Sequence, residues 1–415
     1  MINLYIFQES GRGVEFGIGS YVNQLVQILP KNEFNIHLIY LNVDKEEIVF
    51  EEIDNTHHWY FPLHPCRPTV NKLVYDRYYH NIVYLLRLYI QDKENVIFHL
   101  NHNINKVLAE QLKANFNAKL VFTIHYLVWC FDLFGNFTRF KALSSKTDLN
   151  MFSEELSLFN LMDNIICLSQ FTKRLLIDYY RISSNISVIP NGLSDSITTS
   201  YFKKNMLKKK YQIPSISNTI LFVGRLDPIK GLEYVIRSFR KILKYKPNVH
   251  LIIAGRGNFE TYLKECENDW MNIHFTGFLL KEQLYELYSI SDIGVIPSFH
   301  EQCSYVAIEM MMYSLPIIGT TTTGLQEMIV DGETGLHIPL IEYDDRVELD
   351  TQLLSEKMLF LLQHPKERKR MGANARKRFE KIYSSEVFHE NMFNFYTTLY
   401  DTENNTSDMG RASSI

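Results

Sequence analysis

The chain has 415 residues, 46% of them apolar, and a net charge of -4 at neutral pH. That length predicts two domains, at most three, with enough apolar material for a full core in each, and the mild charge gives no reason to expect a nucleic-acid partner. Five cysteines, at 66, 130, 167, 266 and 303, are scattered without a Cys-x-x-Cys pair, which speaks against a disulfide framework or zinc site and for a reducing, cytoplasmic compartment.

The first predicted strand begins at once, over residues 3–7, with no basic leader or small-residue cleavage site before it. No apolar run reaches the length of a membrane span. Further strands are expected at 36–41, 58–61, 96–100, 120–124, 164–168 and 186–189. Helical periodicity fills 19–29, 71–89, 105–116, 153–161 and 170–180. After a polar, basic interval (194–217) the rhythm restarts. Strands at 220–223, 249–253, 273–275, 293–296 and 316–318 alternate with helices at 232–243, 259–266, 281–288 and 305–313. Such alternation predicts an α/β fold of two doubly wound parallel sheets. An aromatic-rich helix at 386–400 and a polar, disordered tail close the chain.

Ligands of open α/β sheets bind beyond the carboxyl ends of the strands, so the residues that follow each strand carry the functional signal. After the first comes SGRGVEFGIGSY. Gly17 and Gly19 fit a dinucleotide fingerprint, but Val22 stands where its third glycine would be. A tight turn and a backbone cradle for a phosphate or sugar both remain open. Asn101, His102 and Asn103 follow the strand at 96–100, and His125 follows the strand at 120–124; for His125 a structural and a cleft-facing role both stand.

In the second half, Arg225 and Lys230 lie on the loop after 220–223, five residues apart, where they either grip a diphosphate from two sides or remain solvated charges. Gly255 and Gly257 sit where the backbone approaches something closely. The stretch IPSFHEQCSYVAIEMMMYSLP (296–316) breaks at Pro297-Ser298 and then turns helical near Tyr305. Its first helical turn is an anion site by virtue of unpaired N–H groups and the helix dipole. Glu301 and Glu309 flank that turn as hydroxyl acceptors; two solvated glutamates are the plainer reading.

Taken together, FVGRLDPIKG (222–231), AGRG (254–257), PSFHEQCSYVAIEMM (297–311) and GLQEMIVDGETGLHIP (324–339) resemble the nucleotide-sugar-binding domain of retaining glycosyltransferases of family 4. The Gly17/Gly19 loop, TIHYLVW (123–129), LSQFTKRLL (168–176) and VIPNGL (188–193) extend the resemblance into the first half. It implies the GT-B architecture: two Rossmann-like domains facing a central cleft, with the last helix crossing back to the first. Expected bounds are 1–195 for the acceptor-side domain, 196–383 for the donor domain, 384–402 for the returning helix and 403–415 for the tail.

The resemblance also implies roles. Arg225 and Lys230 would hold the donor diphosphate, Glu309 the ribose, and Glu301 the transferred sugar. N–H groups near Ser304, Tyr305 and Val306 would bind sugar and phosphate, His125 would face the reacting sugar, and Gly17, Gly19 and Gly255 would admit the donor. Transfer from a UDP- or GDP-linked hexose to a glycan or other acceptor, with retention, is the expected reaction. No Asp-x-Asp stands at a strand end, Asp344-Asp345 falling in a late loop, so no metal and no cofactor beyond the nucleotide sugar is expected. A non-catalytic partner subunit of this fold and a nucleotide-sugar epimerase are the alternatives. Two departures stand out: Ser304 occupies a usual glycine position, and Thr323 replaces the first glycine of a Gly-Gly-x-x-Glu run, while Gly324 and Glu327 remain.

The acceptor side is less defined. The segment 130–146 and the helix 71–89 mix aromatics with basic residues. Either they touch a lipid-linked acceptor at the inner membrane face, as a peripheral contact, or the helix is an ordinary amphipathic core element. Lys203, Lys204, Lys208, Lys209 and Lys210 are expected to form a solvated face.

Overall fold

Short runs rich in β-branched and aromatic residues alternate with one-sided helices along the chain, and the result is two separate parallel sheets. The computed structural model describes residues 1–9, 17–63, 72–103, 106–144, 152–197, 204–266 and 268–409. By contact the chain forms two units. The first comprises Met1–His125, Asp148–Gly192 and Ser385–Ile415; the second comprises Tyr126–Thr147 and Leu193–Ser384.

The first unit holds strands β1 (Ile2–Glu9), β2 (Phe34–Val43), β3 (Val49–Ile53), β4 (Thr56–Pro62), β5 (Val96–Leu100), β6 (Lys119–Ile124), β7 (Asn164–Cys167) and β8 (Asn185–Val188). Their order in the sheet is β3-β4-β2-β1-β5-β6-β7-β8. Every pairing is parallel except β3 with β4. Strand β3 is a polar edge strand, largely exposed, and its sequence VFEEI lacks the apolar run that marks the others. The last helix, Ser385–Met409, belongs to this unit and runs on past residue 402, where a tail was expected. Aromatic anchors hold it: Tyr396 OH lies 2.6 Å from His99 Nδ1, and Tyr400 OH donates to Val96 O at 2.6 Å.

The second unit contains β9 (Asn218–Val223), β10 (Val249–Ala254), β11 (Ile273–Gly277), β12 (Ile293–Ile296), β13 (Ile317–Thr320) and β14 (Gly335–Ile338), ordered β11-β10-β9-β12-β13-β14 and all parallel. Its helix Leu232–Leu243 buries Leu232, Val235, Ile236, Phe239 and Ile242 against the sheet, at a spacing that keeps them on one face. Each such side chain contributes about 1.5–3 kcal/mol of burial. A small antiparallel hairpin, β15 (Leu340–Glu342) with β16 (Val347–Leu349), and helices Thr351–Gln363 and Pro365–Arg378 follow. None of these was expected from the sequence: the hairpin strands have three residues each, and the second helix, PKERKRMGANARKR, has almost no apolar stripe.

One boundary differs from expectation. Tyr126–Thr147 lies within the span expected for the first domain but folds with the second unit. Asn136 Nδ2 donates to Tyr343 O at 2.6 Å, and the N–H groups of Phe137 and Thr138 donate to the Glu342 carboxylate. Gly135, at φ +72°, lets this segment lie against the loop after β12; a Cβ there would stand 2.2 Å from Phe299 O. These long-range bonds leave no local trace in the sequence.

Helix Lys72–Tyr89 buries Tyr78, Tyr79, Ile82, Val83 and Leu86, so it is a core helix, while Leu73, Tyr84 and Leu88 remain exposed. The basic cluster is not wholly solvated. Lys208 is buried, its Nζ donating to Ser217 O at 2.5 Å, and Lys203 lies outside the described residues. Among the described residues, no helix is long and apolar enough to cross a membrane.

Candidate active site

In the second sheet the strand order reverses between β9 and β12, which pair directly. The loops after these two strands therefore splay to opposite sides and leave a crevice at their carboxyl ends. Arg225 and Lys230 come from one loop, and Glu301 comes from the other. Asp227 begins a single 3-10 turn, Pro228–Lys230, by accepting from Ile229 N–H at 3.2 Å. Gly231 ends it at φ +66°, a left-handed conformation that glycine adopts without strain, and a Cβ there would stand 2.3 Å from Pro297 O. The turn is thus pressed against the β12 loop, and Phe299 N–H donates to Ile229 O at 2.9 Å.

That contact brings Lys230 Nζ to 2.6 Å from Glu301 Oε1, with the two side chains only 21% and 14% exposed. Ser298 Oγ donates to the same oxygen at 2.9 Å. Arg225 is 36% exposed and reaches Asp227 only at 3.6 Å.

The β12 loop is held from behind by a threonine run that begins in β13. Thr320 Oγ1 donates to Ser298 O at 2.5 Å, and Thr322 Oγ1 donates to Phe299 O at 2.6 Å. Thr323 Oγ1 accepts from Glu301 N–H at 3.1 Å and donates to Glu301 O at 2.5 Å, while Gly324 N–H donates to that carbonyl at 2.8 Å. Thr323 sits at φ +31°, which is costly for a β-branched residue and easy for glycine. The departure at 323 therefore exchanges backbone ease for a hydroxyl that clamps Glu301. The Glu327 carbonyl accepts from Arg378 Nη2 at 2.6 Å.

Helix Tyr305–Met312 starts with Ser304 as its N-cap, the hydroxyl accepting from Ala307 N–H at 3.4 Å. Serine is among the best residues for this task. At φ -72° the position has no need of glycine. The N–H of Ser304 lies 3.2 Å from Met328 Sδ. It is therefore engaged within the protein, and Tyr305 and Val306 open the helix after it.

Glu309 lies one turn further on. Tyr288 OH donates to its Oε2 at 2.6 Å, and Tyr285 and Tyr313 flank Tyr288 with ring centroids at 6.4 and 5.6 Å. Loss of water around the carboxyl pushes it up to about 7, against the opposing pull of the Tyr288 hydrogen bond. Tyr288 was missed in the sequence, where it reads as one more apolar residue on its helix.

Gly255 lies where the backbone approaches a neighbouring loop closely. It sits at φ +151°, and a Cβ there would lie 1.8 Å from Gly224 O; Gly257, at φ +153°, stands in the same way against Leu226. The close approach that these glycines permit is to the loop carrying Arg225.

In the first unit, Gly17 and Gly19 open helix Gly17–Ile28, while residues 10–16 lie outside the described residues. A Cβ on Gly17 would meet nothing within 4 Å. His125 Nε2 lies 2.9 Å from Asn101 Oδ1, and Asn101 Nδ2 donates to Phe7 O at 3.4 Å, which assigns the Nε2–H tautomer. The edge of Tyr21 meets the His125 ring at 4.8 Å. Burial, helped by His102 and His99, holds His125 well below the usual imidazole range. It is therefore a neutral hydrogen-bonding group at physiological pH.

Residues 203–378 match the family model described as Glycosyl transferases group 1, and residues 17–196 match that described as Glycosyltransferase Family 4. The chain has the GT-B fold, and each of its halves matches a glycosyltransferase domain model. The capsular polysaccharide biosynthesis glycosyltransferase CapM of Staphylococcus aureus is 28% identical over 251 residues, which is 59% of this GT-B chain and 64% of CapM. Over the first curated relatives, the match spans 40% to 64% of their own length. Sucrose-phosphate synthase from Thermosynechococcus elongatus shares the fold at a TM-score of 0.79 and 19% identity, covering 97% of this chain and 100% of that one. Anabaena HepE, solved in complex with UDP and with UDP-glucose, shares it at 0.70, with 15% and 14% identity, covering 96% of this chain and 100% of HepE.

Proposed function

We propose that this chain moves a hexose-type sugar from a UDP- or GDP-linked donor onto a glycan or other acceptor, with retention of anomeric configuration and without a metal. The observation that carries the reading is the Lys230–Glu301 pair at 2.6 Å on the two loops of the β9/β12 switch point. HepE, whose complexes contain UDP and UDP-glucose, has the same fold and supports a nucleoside diphosphate as the ligand. The name of CapM supports a glycan acceptor.

In this reading Lys230, with three N–H donors, holds Glu301 and a diphosphate oxygen together. Arg225 adds a forked donor, and the first turn of helix Tyr305–Met312 adds backbone N–H groups. These positive groups take up the charge that grows on the departing nucleotide, the task a metal performs elsewhere. Glu309 accepts from the ribose hydroxyls and Glu301 from a sugar hydroxyl. The acceptor oxygen bonds to the anomeric carbon on the face from which the phosphate leaves. Its proton passes to a phosphate oxygen, and the nucleoside diphosphate departs. His125 contributes a neutral imidazole able to bond a hydroxyl. The exposed Leu73, Tyr84 and Leu88 of helix Lys72–Tyr89 are the surface for a peripheral, lipid-linked acceptor; flotation with anionic vesicles at low salt tests this, and absence of binding removes the membrane part.

The deciding experiment incubates the protein with UDP-, GDP-, ADP- and dTDP-sugars and a glycan acceptor, with and without chelator. The expected outcome is release of one nucleoside diphosphate, unaffected by chelator and lost in Lys230→Ala, with NMR reading a retained anomer. Epimerised sugar without nucleotide release would favour an epimerase. Binding without turnover would favour a partner subunit.

A further inference from the structure

His300 stands between the two groups that order the β12 loop, one residue before Glu301, and it is 7% exposed. Its Nδ1 lies 3.3 Å from Thr323 Oγ1. That hydroxyl has one proton, already given to Glu301 O at 2.5 Å, so it can only accept from the imidazole. The contact therefore assigns the Nδ1–H tautomer and leaves Nε2 as a bare lone pair. Among the described residues Nε2 has no hydrogen-bond partner, although it is buried. A buried acceptor without a donor is unfavourable, and its position beside the groups of a ligand site makes a ligand hydroxyl a natural partner. The ring also feels the charges of both Glu301 and Lys230, which lie close to it. Burial holds it at about 4, so it stays a neutral acceptor throughout the physiological range.

We infer that His300 Nε2 accepts a hydrogen bond from a hydroxyl of the donor's sugar, which makes His300 a specificity residue beside Glu301. The inference rests on the donor-site reading above. The chemistry it requires of the ligand is an O–H donor: a polyol ring, and not the diphosphate or the base.

The test uses two variants of the full chain. In His300→Asn the amide occupies the place of Nδ1 and keeps the contact to Thr323 but removes the distal acceptor. In His300→Gln the amide reaches the place of Nε2 and restores it. Calorimetric binding of the free nucleoside diphosphate and of its nucleotide sugar separates the outcomes. The expected result is unchanged binding of the diphosphate by both variants, about tenfold weaker binding of the nucleotide sugar by His300→Asn, and recovery in His300→Gln. One deoxy-sugar donor should bind wild type and His300→Asn equally, and it identifies the hydroxyl. Equal loss for diphosphate and nucleotide sugar, or no loss for either, would overturn the role of His300 while leaving the donor reading intact. Failure of the wild-type protein to bind any nucleotide sugar would overturn both.

Discussion

Thr323 and Glu301 are joined by two hydrogen bonds through a single hydroxyl, which accepts from the glutamate's N–H at 3.1 Å and donates to its carbonyl at 2.5 Å. The side chain of Glu301 is thereby aimed from its own backbone. Thr323→Ala should lower kcat/KM about tenfold, because the lost bonds are worth about 1–2 kcal/mol and the loop gains freedom. Thr323→Gly should lose activity equally but melt higher than the alanine variant, since φ +31° suits glycine. Kinetics and thermal melts of the pair check this, and a fully active alanine variant would refute the clamp.

The ion pair of Lys230 and Glu301 is mostly buried, so removing either member leaves an uncompensated charge. Lys230→Ala should cost about 1–3 kcal/mol of stability and abolish the thermal shift caused by nucleoside diphosphates. Adding Glu301→Gln to it should recover stability without recovering activity. Recovery of both would mean that the pair is structural.

Glu309 gives a pH dependence with a defined sign. Its folded value of about 7 stands above its ordinary 4.5, so the folded state holds the proton more tightly. The resulting stabilisation is complete below about pH 4.5 and is lost as pH rises towards 7. Glu309→Gln should flatten that slope by about 1–3 kcal/mol. Nucleotide affinity should rise through pH 7 in the wild type and not in the variant, because the ribose hydroxyls bond best to the carboxylate. Urea melts and binding titrations from pH 5 to pH 8 measure both.

Two glycines with the same sequence appearance should behave oppositely. Gly255→Ala meets Gly224 O at 1.8 Å on a φ of +151° and should cost about 2–4 kcal/mol. Gly17→Ala meets no atom within 4 Å and should leave the melting temperature nearly unchanged. Loss of donor binding in a normally stable Gly17→Ala would then report ligand approach at that position; retention would make it a plain turn glycine.

The sequence by itself determined the two parallel sheets, because buried parallel strands read as apolar runs whatever their neighbours, and helix Leu232–Leu243 declares its buried face by spacing alone. It also singled out Arg225, Lys230 and Glu301, since loops at strand ends carry polar chemistry that a core would not tolerate, and Glu309 by its place in the helix that follows. Only the tertiary structure decided which of these residues meet. The partnership of Glu301 with Lys230, 71 residues away, depends on β9 lying beside β12. The hydroxyls of 320–323 look like generic strand-end residues until the chain folds back and sets them against the carbonyls of 298–301. Gly255 carries the same ambiguity, because a glycine's requirement for space is visible in one dimension and the atom that needs the space exists only in three.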